Sequence, residues 1–182
     1  MKKYIFNSDR LGFRHWQDAD LIPFAEMGKD AAVMEFFPKK LTEQESAAMV
    51  NRINGYFEEK GYGLYAVDEL ATQDFIGYIG FAEPRFQADF TPCLEIGWRL
   101  RREVWGRGLA TEGALRCLEY GFQTFHFPEI VSFTAAINHR SIRVMQKIGM
   151  QQAGLFFHPL LADGSPLKKH VLYKIGGGRT WG

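Results

Sequence analysis

Trp105-Gly106-Arg107-Gly108-Leu109-Ala110-Thr111-Glu112 is the stretch of this 182-residue sequence that decides the expected fold. It follows a segment of alternating apolar residues, Leu94 to Leu100, and precedes one whose apolar residues recur every three or four positions. These patterns predict a strand before the glycines and a helix after them. Glycines allow a tight turn, and the first amides of a helix attract anions. The stretch therefore predicts a cradle for a pyrophosphate, with Arg101, Arg102 and Arg107 adding positive charge.

The rest of the chain extends this unit to an α/β domain. Hydrophobic periodicity predicts the element order β-α-α-β-β-β-α-β-α-β-β. A hairpin within residues 64–82 implies antiparallel pairing, and the strand-helix-strand unit from 94 to 136 implies a parallel pair. The capping box Thr42-Glu-Gln-Glu45 is expected to begin the second helix, and Asn138 is expected to cap the last one. Residues 176–182 are expected to form a frayed tail.

Length and composition exclude several classes of protein. The chain suits one domain, residues 1–182, with a full hydrophobic core. Lysine and arginine total 22 against 21 acidic residues, and a net charge of +1 argues against a nucleic-acid partner. Cys93 and Cys117 lack metal-ligand spacing, so no metal is expected. Because there is neither a signal peptide nor a run of ~20 apolar residues, we expect a cytoplasmic protein without membrane association.

Two other nucleotide-binding motifs compete for the glycine stretch. The dinucleotide fingerprint needs a third glycine or similar small residue where Thr111 stands, although Glu129 lies at a plausible distance for a ribose ligand. That fingerprint belongs to the first strand of a parallel sheet, whereas three or four strands are predicted before this one. The P-loop needs Gly-Lys followed by Ser or Thr, which this stretch lacks. A dinucleotide-binding oxidoreductase is therefore disfavoured.

Seven short motifs occur in order along almost the whole chain. They are Arg10-Leu-Gly-Phe-Arg14, Phe75-Ile-Gly-Tyr-Ile-Gly80, Glu95-Ile-Gly-Trp-Arg-Leu100, the glycine stretch itself, Asn138-His-Arg-Ser141, Lys147-Ile-Gly-Met150 and His170-Val-Leu-Tyr173. Together they resemble the GNAT acetyltransferase superfamily, and more closely its RimJ/RimL-type branch, named for ribosomal-protein N-terminal acetyltransferases. Trp105 stands where the family's general motif has Gln or Arg, and this branch often has an aromatic residue there.

The resemblance implies a fold and a co-substrate. The fold is a mixed, mostly antiparallel sheet flanked by about four helices, with a V-shaped splay between its fourth and fifth strands. The co-substrate is acetyl-CoA. The amides from Gly106 to Thr111 would hold its pyrophosphate, and the backbone from Trp98 to Leu100 would pair with its pantetheine arm. The side chain of Asn138 would contact the same arm in addition to capping its helix.

Transfer of an acetyl group to an amine needs a base for the amine and an acid for the departing thiolate. Many relatives use a Tyr seven residues after the Asn, where this chain has Met145, and the resemblance points instead to Ser141 as the acid. The Ser141 hydroxyl would donate to the sulfur or bind the pantetheine arm, and support of the first helical turn is its alternative role. Glu95, beside the expected acetyl position, is the predicted base, with a salt bridge to Arg99 as its alternative role. A water relay could also replace the protein base.

The predicted function is transfer of an acetyl group from acetyl-CoA to a primary amine by direct attack in a ternary complex. The acceptor is a protein N-terminus or a small amine, and the enzyme is a monomer or a homodimer. A non-catalytic sensor of coenzyme A or a nucleotide is the alternative. The acceptor is expected to enter between the first two helices and the hairpin loops, near a mostly aromatic and acidic set of residues: Glu35, Phe36, Phe37, Glu83, Phe86, Phe90 and His158.

Overall fold

The computed structural model describes residues 3–178, and within them it contains one sheet of eight strands in the order β1-β2-β3-β4-β5-β6-β8-β7. Neighbouring strands pair antiparallel except β5 and β6, which are parallel. The predicted mixed α/β fold is confirmed. The strands are β1 Phe6–Asn7, β2 Leu11–Arg14, β3 Leu64–Glu69, β4 Asp74–Ala82, β5 Glu95–Leu100, β6 Glu129–Ala135, β7 Gln151–Phe157 and β8 Lys169–Gly176.

Four α-helices flank the described part of the sheet: α1 Leu21–Lys29, α2 Glu43–Lys60, α3 Leu109–Phe125 and α4 His139–Lys147. Both predicted caps are confirmed. The Thr42 hydroxyl accepts from the Glu45 amide while the Glu45 carboxylate accepts from the Thr42 amide, which completes the capping box of α2. The Asn138 side chain accepts from the Ser141 amide at the start of α4.

Helices α1 and α3 lie on opposite faces of the sheet. Neighbouring residues of a strand point to opposite faces, and Tyr78 of β4 contacts Phe24 of α1, with 6.1 Å between ring centroids. Ile79 points to the other face, where a Cβ placed on Gly113 of α3 would lie 2.3 Å from its Cδ1. Glycine at this position lets α3 approach the sheet closely. We name these surfaces the α1 face and the α3 face.

Strands β5 and β6 separate soon after they meet. Their ladder has one register pair, Glu95 with Val131, and the Val131 amide donates to the Leu94 carbonyl over 2.8 Å. β5 remains paired with β4 along its whole length, while β6 pairs with β8 on its other side. The predicted V-shaped splay is therefore confirmed. It lies between the fifth and sixth strands, because the structure has one more strand at the start than was predicted.

Two predicted boundaries were wrong. The prediction missed β1, which has two residues and is too short to show an alternating pattern. Gly176, predicted in the frayed tail, is the last residue of β8, and the Gly177 amide donates to the Pro128 carbonyl over 3.0 Å. Backbone pairing with the end of β6 extends this segment beyond the point where its side-chain pattern stops. Residues 179–182 of the predicted tail lie outside the described residues.

A buried ion cluster holds the start of α1 against the sheet. The Arg14 guanidinium donates to both carboxylate oxygens of Asp20, at 2.6 and 2.8 Å, and to both of Asp68 on β3, at 2.7 and 2.8 Å. All three side chains are almost fully buried, so loss of Arg14 would leave buried charges unpaired. The cluster positions α1 and the loop that follows it, and Phe36 and Phe37 of that loop face the site described next.

Candidate active site

A cavity of about 520 Å³ opens where β5 and β6 separate. Its walls are formed by these two strands and Tyr78 of β4, by the amino end of α3, by one side of α4, by β8 and the loop between β7 and β8, and by the loop after α1. Segments far apart in the sequence therefore meet at one place. Of the residues predicted for the site, those that line the cavity are Glu95, Trp98, Leu100, Gly106, Gly108, Leu109, Ala110, Thr111, Asn138 and Ser141.

The glycine stretch leaves free amides at the end of the cavity next to α3. Gly106 and Gly108 have φ values of 75° and 79°, in the left-handed region that glycine adopts without strain. α3 begins at Leu109, and the Glu112 amide donates to the Gly108 carbonyl over 3.0 Å. The amides of residues 109–111 precede this bond, so they are available to an anion. A Cβ on Gly106 would meet no atom within 4 Å, which leaves room for a pyrophosphate.

The three arginines expected beside this cradle do not line the cavity. Arg107 pairs with Glu69 at the end of β3, and the Arg101 guanidinium lies 3.8 Å from the Asp74 carboxylate on β4. Arg102 is exposed in a short 3-10 turn. Two of the three therefore have acidic partners on β3 and β4, and their contribution to the charge around the cradle stays a prediction.

Positive charge reaches the cavity from α4 instead. Arg140, Arg143 and Lys147 line it. Their spacing of three and four residues places them on one side of the helix, and this spacing is the sequence signal that indicates a basic side of α4. Arg140 also pairs with Glu35 over 2.6 Å and lies 4.4 Å from the Trp105 ring centroid. It therefore links α4 to the loop after α1 and to the glycine stretch.

Trp105 fixes the end of β5. Its indole Nε1 donates to the Leu100 carbonyl over 2.9 Å, while the Arg101 amide donates to β4. Successive residues of a strand direct their backbone groups to opposite sides, so Leu100 and, two residues earlier, Trp98 direct theirs towards β6. Since β6 pairs with β5 only beside Glu95, the Trp98 amide and carbonyl have no strand partner on this side within residues 3–178. This is the segment that was predicted to pair with pantetheine.

Glu95 lies where the two strands part and faces the cavity on the α1 face. Burial raises the pKa of its carboxyl to about 8, because the ionised form is poorly solvated there. The salt bridge to Arg99 is not formed within residues 3–178, where Nε and Nη1 of Arg99 have no partner. A Cβ on Gly97 would meet only the Glu95 carboxylate, at 3.9 Å, so the space beside Glu95 is open. A carboxyl with a pKa near neutrality can accept a proton from an amine.

Asn138 and Ser141 form a connected pair at the start of α4. The Asn138 Nδ2 donates to the Ser141 Oγ over 3.1 Å and to the Thr134 Oγ1 over 2.9 Å. Because the Ser141 oxygen accepts this bond, its own hydrogen remains for a group in the cavity. Met145, where many relatives have Tyr, is fully buried and has no proton to donate. Ser141 is therefore the hydroxyl that α4 presents to the cavity.

Comparison with known proteins agrees with this arrangement. Residues 10–151, well over half of the chain, match the family described as Acetyltransferase (GNAT) domain. The chain belongs to the GNAT acetyltransferase family. Its relatives include proteins named N-acetyltransferases, and it is an acyl-CoA-dependent N-acetyltransferase.

The relatives of this acetyltransferase cover nearly its whole length. The uncharacterized N-acetyltransferase YnaD of Bacillus subtilis (strain 168) is 30% identical over 167 residues, 91% of this chain and 93% of YnaD. A GNAT-family acetyltransferase structure from Bacillus anthracis has a TM-score of 0.79 at 26% identity, covering 95% and 98% of the two chains. A spermidine N-acetyltransferase from Vibrio cholerae, solved with CoA and spermine, shares the fold at TM-score 0.74 and 16% identity, covering 92% and 96%.

Another wall of the acetyltransferase cavity is apolar and imidazole-rich. Phe133, His158 and His170 line it, and the two imidazole centroids lie 5.0 Å apart. Burial lowers the pKa of both histidines, that of His170 to about 4, so both are neutral at neutral pH. Phe86 and Phe90 contact Phe133 with ring centroids 5.6 and 6.0 Å apart. This wall is therefore an uncharged aromatic surface against which the substrate that accepts the acetyl group can pack.

The residues expected around the acceptor separate into two groups. Phe36, Phe37 and His158 line the cavity. The other four do not: Glu35 pairs with Arg140, Glu83 lies 3.9 Å from Lys60, and Phe86 and Phe90 pack against Phe133. In residues 3–178 we find no group of three or more His, Cys, Asp or Glu side chains that could hold a metal ion. No helix in that range is long and apolar enough to cross a bilayer.

Proposed function

We propose that this acetyltransferase transfers the acetyl group of acetyl-CoA to a primary amine by direct attack within a ternary complex. The observation that carries the proposal is Glu95: a cavity-facing carboxyl with a pKa of about 8, beside open space at Gly97, at the point where β5 and β6 part. A group that exchanges a proton near neutral pH is suited to deprotonating an amine.

The co-substrate would be held by backbone groups more than by side chains. Free amides at residues 109–111 suit the pyrophosphate, and Arg140, Arg143 and Lys147 supply positive charge from α4. The free backbone groups of Trp98 suit the pantetheine amides, with Asn138 on the opposite wall. Bound in this way, acetyl-CoA would supply the thioester carbonyl that the amine attacks.

Two groups then divide the proton transfers. Glu95 accepts a proton from the amine, either directly or through one water. The Ser141 hydroxyl, whose oxygen already accepts from Asn138, donates its hydrogen to the departing sulfur and regains a proton from solvent. Binding both reactants in one cavity supplies proximity, which can lower the barrier more than either proton transfer does.

The acceptor proposed here is a small amine or a protein N-terminus. Phe36, Phe37 and Phe133 give the cavity an apolar lining, and the Glu35–Arg140 ion pair bridges the loop after α1 and α4. The aromatic Trp105 supports placement in the RimJ/RimL-type branch, whose acceptors include both kinds of amine.

The proposed transfer has to proceed without the usual Tyr, because Met145 stands in its place. Two measurements test it. In a thermal-shift assay acetyl-CoA should raise the melting temperature and NAD should not. With saturating acetyl-CoA, a panel of primary amines should release free thiol with at least one member. Stabilisation by acetyl-CoA without thiol release from any amine would contradict the proposed transfer to a primary amine.

A further inference from the structure

Arg99 of β5 is a buried cation for which the described residues provide no anionic partner. Arg99 is 6% exposed and lines the cavity. Its Nε and Nη1 are buried and donate to no atom within residues 3–178. A buried guanidinium with unused N–H groups is costly unless another group accepts from it. The geometry therefore points to an acceptor of hydrogen bonds that enters the cavity.

Aromatic rings cover the guanidinium but do not use its hydrogens. The Arg99 Cζ lies 4.0 Å from the ring centroid of Phe37, 5.4 Å from that of Tyr78 and 6.0 Å from that of Phe24. These cation–π contacts stabilise the charge through the face of the group. The N–H bonds lie in the plane of the guanidinium, so they remain available for a planar anion.

Tyr78 stands directly beside Arg99. The two residues are register partners on β4 and β5, so their side chains lie next to each other on the α1 face. Both line the cavity. Burial raises the pKa of Tyr78, which keeps its hydroxyl protonated and able to donate. Arg99 and Tyr78 together present donors from two neighbouring strands.

The remaining charges of the cavity do not neutralise Arg99. Glu95 is the only acidic residue on its described lining, whereas Arg140, Arg143 and Lys147 are basic. Because the pKa of Glu95 is about 8, its carboxyl is mostly uncharged at pH 7. The three basic residues of α4 are assigned to the phosphates of the co-substrate, so Arg99 is the cation that remains for the acceptor. A buried, uncompensated guanidinium repels an acceptor that carries several ammonium groups and attracts one that carries a negative charge.

The position of Arg99 assigns this charge to the acceptor and not to the co-substrate. Arg99 shares the α1 face with Glu95 and Gly97, whereas the amides of the pyrophosphate cradle belong to α3, on the opposite face. One guanidinium balances one carboxylate. A phosphate monoester would bring close to two charges into a buried site and leave one of them uncompensated.

We propose that Arg99 and Tyr78 bind a carboxylate on the acceptor, so that the preferred substrates are amino-carboxylates and not polyamines. The inference rests on the proposed function, because it places the acceptor's amine at Glu95. Four residues of strand separate Glu95 from Arg99, about 13 Å between their Cα atoms. The amine and the carboxylate of the acceptor are therefore expected to be several bonds apart.

The test compares acceptors that differ only in this charge. Thiol release is measured at saturating acetyl-CoA with glycine, 4-aminobutyrate and 6-aminohexanoate, each paired with its carboxamide. In the wild type, kcat/KM for at least one carboxylate should exceed that for its carboxamide tenfold or more. In Arg99→Met the ratio should fall to near one, with a change of less than threefold in KM for acetyl-CoA. Arg52→Met, at an exposed position of α2, is the matched control and should keep the wild-type ratio.

Three outcomes would overturn the inference. Equal rates for carboxylates and carboxamides in the wild type would limit Arg99 to aromatic stacking. A loss that affects both kinds of acceptor equally in Arg99→Met would make it structural. A selective rise in KM for acetyl-CoA would assign it to the co-substrate.

If no amine releases thiol, the proposed function fails separately, and the carboxylate site is still tested by calorimetry. The titrations compare 6-aminohexanoate and its amide, each added to the CoA-bound wild type and to CoA-bound Arg99→Met. Carboxylate binding lost in the variant supports it, and absence of that binding in the wild type rejects it.

Discussion

The Asn138 Nδ2 and the Ser141 Oγ lie 3.1 Å apart, in a bond that makes the Ser141 oxygen an acceptor and leaves its hydrogen for the cavity. The Ser141 amide donates back to the Asn138 Oδ1 over 3.2 Å. The cap of α4 therefore uses the backbone of Ser141 more than its side chain. This separation makes the proposed catalytic role of the hydroxyl testable without loss of the helix.

Replacement of Ser141 by Ala is expected to lower kcat about 100-fold, the usual scale for loss of a proton donor. The melting temperature should stay within a few degrees, because the amide that completes the cap is retained. Ser141→Thr keeps a hydroxyl and should recover part of the rate. Steady-state thiol release and thermal unfolding of the three proteins measure this. An Ala variant with full kcat would restrict Ser141 to support of the helix.

The reaction should follow the ionisation of Glu95. A base acts as its carboxylate, so kcat should rise about tenfold per pH unit below pH 8 and level off above it, given a pKa of about 8. An acyl hydrazide is a suitable acceptor, because its nucleophilic nitrogen is unprotonated across this range. In Glu95→Gln kcat should fall at least 100-fold, and its pH profile should no longer show a midpoint near pH 8. A midpoint that persists in the Gln variant would assign the titration to another group or to water.

Glu95 should lower the free energy of unfolding at high pH. Its pKa rises from 4.5 to about 8 on folding, so below pH 4.5 both states are protonated and there is no penalty. Between those pH values the unfolded chain ionises first, and stability falls as pH rises. Glu95→Gln removes this loss and should raise the free energy of unfolding at pH 9 by on the order of 2 kcal/mol. Urea unfolding at pH 4 and pH 9 checks the sign, since the gain should be absent at pH 4.

Gly97 and Gly80 are register partners on β5 and β4 with opposite tolerance for a side chain. A Cβ on Gly97 meets only Glu95 Oε1 at 3.9 Å, whereas one on Gly80 would lie 2.1 Å from the Gly63 carbonyl oxygen. Gly97→Val should therefore change the free energy of unfolding by less than about 1 kcal/mol and raise the acceptor KM tenfold or more. Gly80→Ala should lower the melting temperature strongly. Unchanged KM in Gly97→Val would place the acceptor elsewhere.

Gly108 has a φ of 79° immediately before α3. Alanine in this conformation costs about 1–2 kcal/mol and shifts the amides that follow. Gly108→Ala is expected to destabilise by this amount and to raise the KM for acetyl-CoA more than that for the acceptor. Gly55→Ala, within α2 where a Cβ meets nothing within 4 Å, is the control and should stabilise by about 0.5–1 kcal/mol. Equal KM values for acetyl-CoA in all three proteins would contradict the role of the cradle.

Local pattern predicted the elements that depend on local physics. The alternation of Glu95, Gly97 and Arg99 along β5 placed three side chains on one face, and the capping residues marked the starts of α2 and α4. Gly106 and Gly108 predicted a turn before a helix, because glycine adopts the left-handed backbone conformation found there without help from distant residues. These features need no knowledge of distant residues.

Contacts between side chains on neighbouring strands could not be predicted from the sequence pattern. It suggested that Arg101 and Arg107 surround the cradle, but Asp74 and Glu69 on neighbouring strands draw both side chains away. The sequence pattern was compatible with Glu95 either as a catalytic base or as a member of an ion pair. Only the packing of Phe37 and Tyr78 around Arg99 separates those two groups and leaves the carboxyl without a partner among the described residues.

The sequence by itself determined the order of the helices and of every strand after β1, the glycine turn before α3 and the family resemblance, because each arises from local spacing or from short motifs that follow one another along the chain. The tertiary structure alone decided which charges face the cavity. Solvation and pairing depend on residues brought together from β4, β5, α4 and the loop after α1, and they raise the pKa of Glu95 and leave Arg99 unpaired among the described residues. The acetyl donor is implied by motifs spread along the chain, whereas the acceptor depends on how four segments meet.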